Sequence, residues 1–307
     1  MSTPLLSASQ SAPSAARAAK RKFFLTVLSV VPFPVKLWAA RKIAPNLVRY
    51  LPGNRAVEIP DYGGQFRMAL NTRFPIETMM IVDNYEPITR LVVKRLVMPG
   101  DHCVDVGANV GGISVLIAAN VGPTGRVLSF EPSPSTYARL RKNLSLNPQL
   151  NGRLTAVQAG LADKAGELRL VEDETVPGNA ALYASGGTAI PVITFDAAVE
   201  EHAFGHVNFI KIDVEGMEYE VLLGARKTLE ESQPVMYFET MTQNEDARGS
   251  PQFALIEQLL KPMGYHLFDV KRDGQLTGVS VNTHGDNTLA VPAQRVDEVR
   301  QRLSQSS

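Results

Sequence analysis

Three short stretches of this 307-residue chain carry residues whose types and spacing suit chemistry: VDVGANVGG at 104–112, FEPS at 130–133 and DVEG at 213–216. In the first, Gly107 permits a tight turn, and Gly111 and Gly112 let a backbone approach a ligand with no side chain between. Asp105 places a carboxylate just before that turn and Asn109 lies within it. In the second, Glu131 can accept hydrogen bonds from both hydroxyls of a ribose. In the third, Asp213 and Glu215 are two apart, so an extended strand points both to the same side. Such a pair can take a proton from a hydroxyl, bind a divalent ion that acidifies one, or hold the cationic end of a ligand. The first two stretches suit a nucleoside, and the third suits work on an acceptor.

These residues need elements to place them. From about residue 56 the sequence alternates strand and helix patterns, which predicts a mostly parallel sheet covered on both faces. HCVDV, 102–106, reads as the first strong strand. GGISVLIAANVG follows as a helix with Ile113, Leu116 and Ile117 on one face and Gly122 at its stop. RVLSFEP, 126–132, is a second strand, after which Ser133 can cap a helix that has Pro134 at its first position and Tyr137, Leu140 and Leu144 on its apolar side. LTAVQAGLA at 154–162, VNFIKIDVEG at 207–216 and PVMYFET at 234–240 are further strands, and YHLFDV and NTLAVP suggest a closing pair of edge strands. GELRLV and AIPVITF suggest an inserted strand pair within 163–200. The fold class expected is therefore α/β, with a doubly wound, seven-stranded, mostly parallel sheet. Ligands of such sheets bind beyond the C-terminal ends of the strands, where Gly107, Glu131 and Asp213 fall.

Two cofactor classes compete for a glycine turn in this place. A dinucleotide wants G-x-G-x-x-G, with its pyrophosphate on the helix N-terminus. Here the order from Gly107 is G-A-N-V-G-G, and the Asp105 carboxylate would repel a pyrophosphate. The same charge can engage, directly or through water, the cationic amino-acid part of S-adenosylmethionine, which favours that cofactor over NAD. An NAD-linked oxidoreductase and a noncatalytic S-adenosylmethionine-binding protein are the alternatives.

VDVGANVGG, GRVLSFEPSPSTYARLRKNLSLN and FIKIDVEGMEYEVLLGA, together with NYEP at 84–87, LADKAG at 161–166 and ITFD at 193–196, resemble the FkbM family of S-adenosylmethionine-dependent methyltransferases. The resemblance covers about residues 80–240. It implies a class I, Rossmann-like methyltransferase fold and, usually, methylation of a hydroxyl oxygen on a small-molecule or glycan acceptor such as a sugar or secondary metabolite. It assigns Asp105, Gly107, Asn109 and Gly111 to the cofactor's amino-acid end and Glu131 to its ribose. Asp163 would lie near the adenine and accept its exocyclic amine, although Asp also favours turns on its own account. Asp213 and Glu215 form the candidate catalytic pair. Acids in the first turn of GMEYEVLLGA also favour the helix dipole, which accounts for Glu218. Tyr85 and Glu86 belong to a segment that can fold over the cofactor, and Glu239 can face the acceptor. A divalent metal stays open, while none of the five histidines has metal-ligand spacing.

Composition narrows the partners. With 31 basic and 31 acidic side chains, no nucleic-acid partner is expected. A single cysteine, Cys103, excludes an intramolecular disulfide and a cysteine-based zinc cluster, and reads as a small core residue. Residues 1–19 are rich in Ser, Ala and Pro and are expected to be disordered. KRKFFLTVLSVVPFPVKLWAARK, 20–42, is apolar between basic residues, but Pro32 and Pro34 interrupt it short of the roughly 20 apolar residues of a spanning helix. It is expected to pack on the domain, with weak peripheral membrane contact through Phe23, Phe24, Leu25 and Trp38, or an export signal, as alternatives. The division expected is a disordered 1–19, an extension 20–55, a catalytic domain 56–295 and a tail 296–307, in a cytoplasmic protein.

Overall fold

The structure, a computed structural model, describes residues 35, 37–39, 53–172, 180–183, 187–214, 216–240, 251–280 and 287–305. Alternating apolar residues fold the start of this region into a hairpin of β1 (Ala56–Tyr62) and β2 (Phe66–Asn71). Val57, Ile59 and Tyr62 on one strand and Phe66, Met68 and Leu70 on the other are buried on its inner side. Two helices follow, α1 (Pro75–Ile81) and α2 (Pro87–Leu96), each opening on a proline whose missing N–H loses nothing there.

The chain then enters the main sheet through β3 (His102–Val106), α3 (Gly112–Asn120), β4 (Arg126–Phe130), α4 (Pro134–Ser145) and β5 (Leu154–Val157). A second, four-stranded sheet interrupts the winding: β6 (Gly160–Leu161), β7 (Gly166–Glu172), β8 (Ala180–Tyr183) and β9 (Thr188–Ile193), in the order β6-β9-β7-β8. The inserted pair is thus β7 with β9, antiparallel, and the expected strand 154–162 divides between the two sheets. The chain returns through α5 (Phe195–Glu201), β10 (Phe209–Ile212), α6 (Glu218–Gly224), α7 (Arg226–Ser232), β11 (Val235–Glu239) and α8 (Pro251–Leu260). It closes with β12 (Tyr265–Val270), β13 (Leu276–Gly278), β14 (Asn287–Pro292) and α9 (Val296–Ser304).

The main sheet runs β13-β12-β14-β11-β10-β3-β4-β5. It has eight strands rather than the seven expected, because the short, polar β13 carries no apolar signal. From β5 to β11 all pairings are parallel; β14 and β12 are antiparallel additions, with β14 inside and β13 at the edge. β3 leads to β4 and β5 on one side, while β10 and β11 lie on the other, so the winding reverses between β3 and β10. That is where a doubly wound sheet opens a crevice.

Alternation along the strands divides the core. Cys103 and Phe209 face a layer with Ile113, Ile117, Val92 and the hairpin, whereas Val104, Val106, Ile210 and Ile212 face Phe195, Val221, Leu222 and Phe253. The segment expected as a tail carries α9, whose Val299 and Leu303 are buried in the first layer. Leu37 packs against the same layer, with Val35 51% and Trp38 56% exposed. The rest of 20–42 and the expected disorder of 1–19 lie outside the described residues. No helix among the described residues is long and apolar enough to cross a membrane.

The hairpin is fastened by two amide side chains, Asn143 of α4 and Asn147 just past its end. Asn143 Oδ1 accepts from the Ala69 N–H at 2.7 Å, and Asn147 accepts from the Arg67 N–H at 2.9 Å while donating to the Arg67 carbonyl at 2.7 Å. Strand groups on the side away from β1 are thereby paired.

Candidate active site

The glycine turn joins β3 to α3 at the reversal of the winding. Gly107 has φ +79°, and its N–H and that of Ala108 donate to the Phe130 carbonyl at 3.0 and 2.9 Å. A Cβ on Gly107 would overlap the Asp213 carbonyl oxygen, so the turn lies directly against the end of β10. Asn109, at φ +50°, donates its N–H to Glu131 Oε2 at 2.9 Å, and Glu131 Oε1 accepts from the Ser133 N–H at 2.9 Å. Ser133 in turn caps α4 through the Thr136 N–H at 3.2 Å. Glu131 therefore ties the glycine turn to the next helix start. Burial pushes its carboxyl up to about 7 against the pull of the two amide donors.

The cleft beside this turn encloses about 820 Å³, counting its open mouth. Gly107, Asn109, Glu131 and Asp213 supply its polar wall; Phe130, Leu161 and Leu170 supply apolar wall, and Ile76 and Tyr85 reach it from the N-terminal elements. Burial raises the Tyr85 phenol above its usual range. Glu86 instead accepts the Thr89 hydroxyl at 2.6 Å.

Several sequence-derived residues take other places. Asp105 is fully buried beneath the turn, with Oδ2 accepting the Ser114 hydroxyl at 2.5 Å. Gly111 and Gly112 leave room for the protein's own side chains rather than for a ligand: a Cβ would come within 2.7 Å of Leu140 at the first and 2.7 Å of Met80 at the second. Asp163 stands at the bend before β7, 3.6 Å from Lys164 and two residues past Leu161, which lines the cleft with Ala159 and Gly160. Glu215 lies outside the described residues. Glu239 ends β11 opposite Asn287 of β14. Glu218 is buried and braces the loop after β10, accepting from the Val214 and Gly216 N–H groups at 3.2 and 3.4 Å, and burial pushes it up to about 7. Among the described residues no group of three or more His, Cys, Asp or Glu side chains could hold a metal ion.

The residue that sequence reasoning missed is Lys211. It is paired across the sheet with Asp105, and its ammonium lies 3.5 Å from Asp105 Oδ1, 3.2 Å from Asp213 Oδ2 and 3.1 Å from the Gly107 carbonyl. Burial pushes its pKa down, but the carboxylates of Asp213 and Asp105 outweigh that and hold it above the usual lysine range. The available signal was a lysine inside the apolar FIKI, since such a charge is buried only when paired.

A stability profile follows from the two raised carboxyls. Each stands at about 7 against an ordinary 4.5, so between those values the fold holds protons that the unfolded chain has released. Each contribution is present in full below about pH 4.5 and is lost as pH rises through 7, with a span of about 3 kcal/mol per group. Urea unfolding across this window is expected to show stability falling with pH, and Glu131→Gln is expected to remove about half of that slope. A variant with the wild-type slope would exclude Glu131 as a source.

An open, doubly wound sheet with a glycine turn and a carboxylate flanking a crevice at its reversal point defines a Rossmann-like α/β protein. The chain belongs to the FkbM methyltransferase family: the family model for the methyltransferase FkbM domain matches residues 105–267, more than half of the sequence. It is 30% identical over 218 residues to methyltransferase sdnD of Sordaria araneosa, covering 56% of this chain and 80% of that one. It is 31% identical over 128 residues to the hexuronic acid methyltransferase AglP of Haloferax volcanii, covering 41% of this chain and 50% of that one. A solved FkbM methyltransferase from Methylobacillus flagellatus superposes with a TM-score of 0.44 at 19% identity, covering 70% of this chain and 52% of that one. The chain thus spans about half the length of these last two proteins.

Proposed function

We propose that the protein is an S-adenosylmethionine-dependent O-methyltransferase acting on a hydroxyl of a sugar, glycan or secondary metabolite. The observation that carries this reading is Glu131: each carboxylate oxygen accepts one backbone N–H, which fixes the group at the cleft wall and leaves lone pairs for two ribose hydroxyls. The bare backbone at Gly107 and the apolar walls at Phe130, Leu161 and Leu170 fit the remainder of a nucleoside. S-adenosylmethionine, when bound, supplies a methyl group activated on a sulfonium.

The protein's own residues then bind and orient. Glu131 holds the ribose, while Gly107 and Asn109 face the amino-acid end. Asp213, 32% exposed and on the cleft wall, holds the acceptor hydroxyl and takes its proton, with Glu215 proposed as the second carboxylate of that loop. Placing the acceptor oxygen in line with the donor supplies most of the remaining acceleration. The order G-A-N-V-G-G from Gly107 departs from G-x-G-x-x-G, which disfavours the NAD reading. The name of the Haloferax relative makes a hexuronic acid the first acceptor to try.

Calorimetry with S-adenosylmethionine and NAD side by side tests this reading. Binding of the first alone is expected, weakened by about 1–3 kcal/mol in Glu131→Ala, where the ribose hydroxyls lose their acceptor. An unchanged dissociation constant in a folded variant would remove Glu131 from the site, and binding of NAD instead would restore the dinucleotide alternative.

A further inference from the structure

The Lys211 ammonium, on a side chain 5% exposed, donates to the Gly107 carbonyl at 3.1 Å and lies at ion-pair distance from Asp213 Oδ2, 3.2 Å, and Asp105 Oδ1, 3.5 Å. Asp105 is 0% exposed; one oxygen accepts the Ser114 hydroxyl and the other pairs with the lysine charge, so its charge is compensated inside the protein. Asp213 is held by one oxygen against the turn, and its 32% exposure gives it the cleft surface that Asp105 lacks. The three side chains together carry one net negative charge, and a ligand in the cleft meets it at Asp213.

We propose that Lys211 is a positioning residue that sets the charge of the cleft: by neutralising Asp105 and anchoring Asp213 beside Gly107, it limits how far the site favours a sulfonium over a neutral thioether. This rests on the cofactor reading above, in which the donor is cationic at sulfur and the product is not. Without the ammonium, the charge of Asp213 at the cleft wall and that of Asp105 buried beneath it would be uncompensated, and a cation would be drawn in far more strongly than its neutral counterpart. A lysine that merely fills space would affect both ligands alike.

The full chain is titrated by calorimetry with S-adenosylmethionine and with S-adenosylhomocysteine. Lys211→Met, close in length and uncharged, is expected to move the ratio of the two affinities toward S-adenosylmethionine by about tenfold or more, and Lys211→Arg to restore it. Asp105→Asn, which frees the lysine charge, is expected to move the ratio the other way, and it decides the matter should Lys211→Met fail to fold. An unmoved ratio in a folded Lys211→Met, or in Asp105→Asn, overturns the inference while leaving the cofactor reading intact. A wild-type protein that binds neither ligand overturns both.

Discussion

Gly107→Ala is expected to weaken S-adenosylmethionine binding by at least 100-fold and to destabilise the fold by about 3 kcal/mol or more. Two effects combine. At φ +79° a Cβ is strained by about 1–2 kcal/mol, and here it would also overlap the Asp213 carbonyl oxygen. Relief requires the turn to move away from the end of β10, which breaks the hydrogen bond from Lys211 to the Gly107 carbonyl and displaces the Asn109 amide from Glu131. Gly152→Ala is the matched control: φ is +77°, but no atom stands within 4 Å of the added methyl, so only the local strain is expected. Thermal unfolding and calorimetry on both variants separate the overlap from the strain. A Gly107→Ala protein that binds as the wild type does would mean that the turn is not part of the site.

Asp213→Asn is expected to lower turnover by about 10²–10⁴-fold, the range associated with a lost general base, and well beyond any loss of donor affinity. The amide keeps the shape of the side chain and can still accept from Lys211, so orientation is largely kept while proton acceptance is lost. The assay follows S-adenosylhomocysteine formed with hexuronic acids and other polyhydroxyl acceptors, with donor affinity measured in parallel. Equal losses in affinity and rate would make Asp213 a cofactor ligand, and an unaltered rate would exclude it from the chemistry.

Where side chains answer to their immediate neighbours in sequence, the architecture was legible. HCVDV, RVLSF and FIKI are short, largely apolar, β-branched-rich runs that fold as buried strands, and Ser133 with Pro134 marks a helix start that the structure shows capped as expected. β13 was not legible, because LTG has neither length nor apolar alternation. The glycines of the turn were partly misread for a related reason: a glycine reports that space is needed, not what fills it, and only packing reveals Leu140 and Met80 beside Gly111 and Gly112. Asp105 was read as facing a ligand because its partner, Lys211, is distant in sequence and becomes a neighbour only when β10 pairs with β3. Carboxylate motifs locate the site, but the cation that balances them has to come from the sheet.

The amides of Asn143 and Asn147 bear on how small this protein can be made. They occupy the outer edge of β2, the row of backbone groups that a strand from a second molecule would otherwise recruit, and so protect the hairpin from edge-to-edge association. The dependence is mutual, since both asparagines are almost completely buried and their partners lie in residues that precede the family-matched segment. Trimming the chain to residues 105–267 would strip Ile76 and Tyr85 from the cleft and leave two interior amides with strand bonds unmade. The homologous segment is therefore expected to fold less stably alone than with the hairpin that these amides hold.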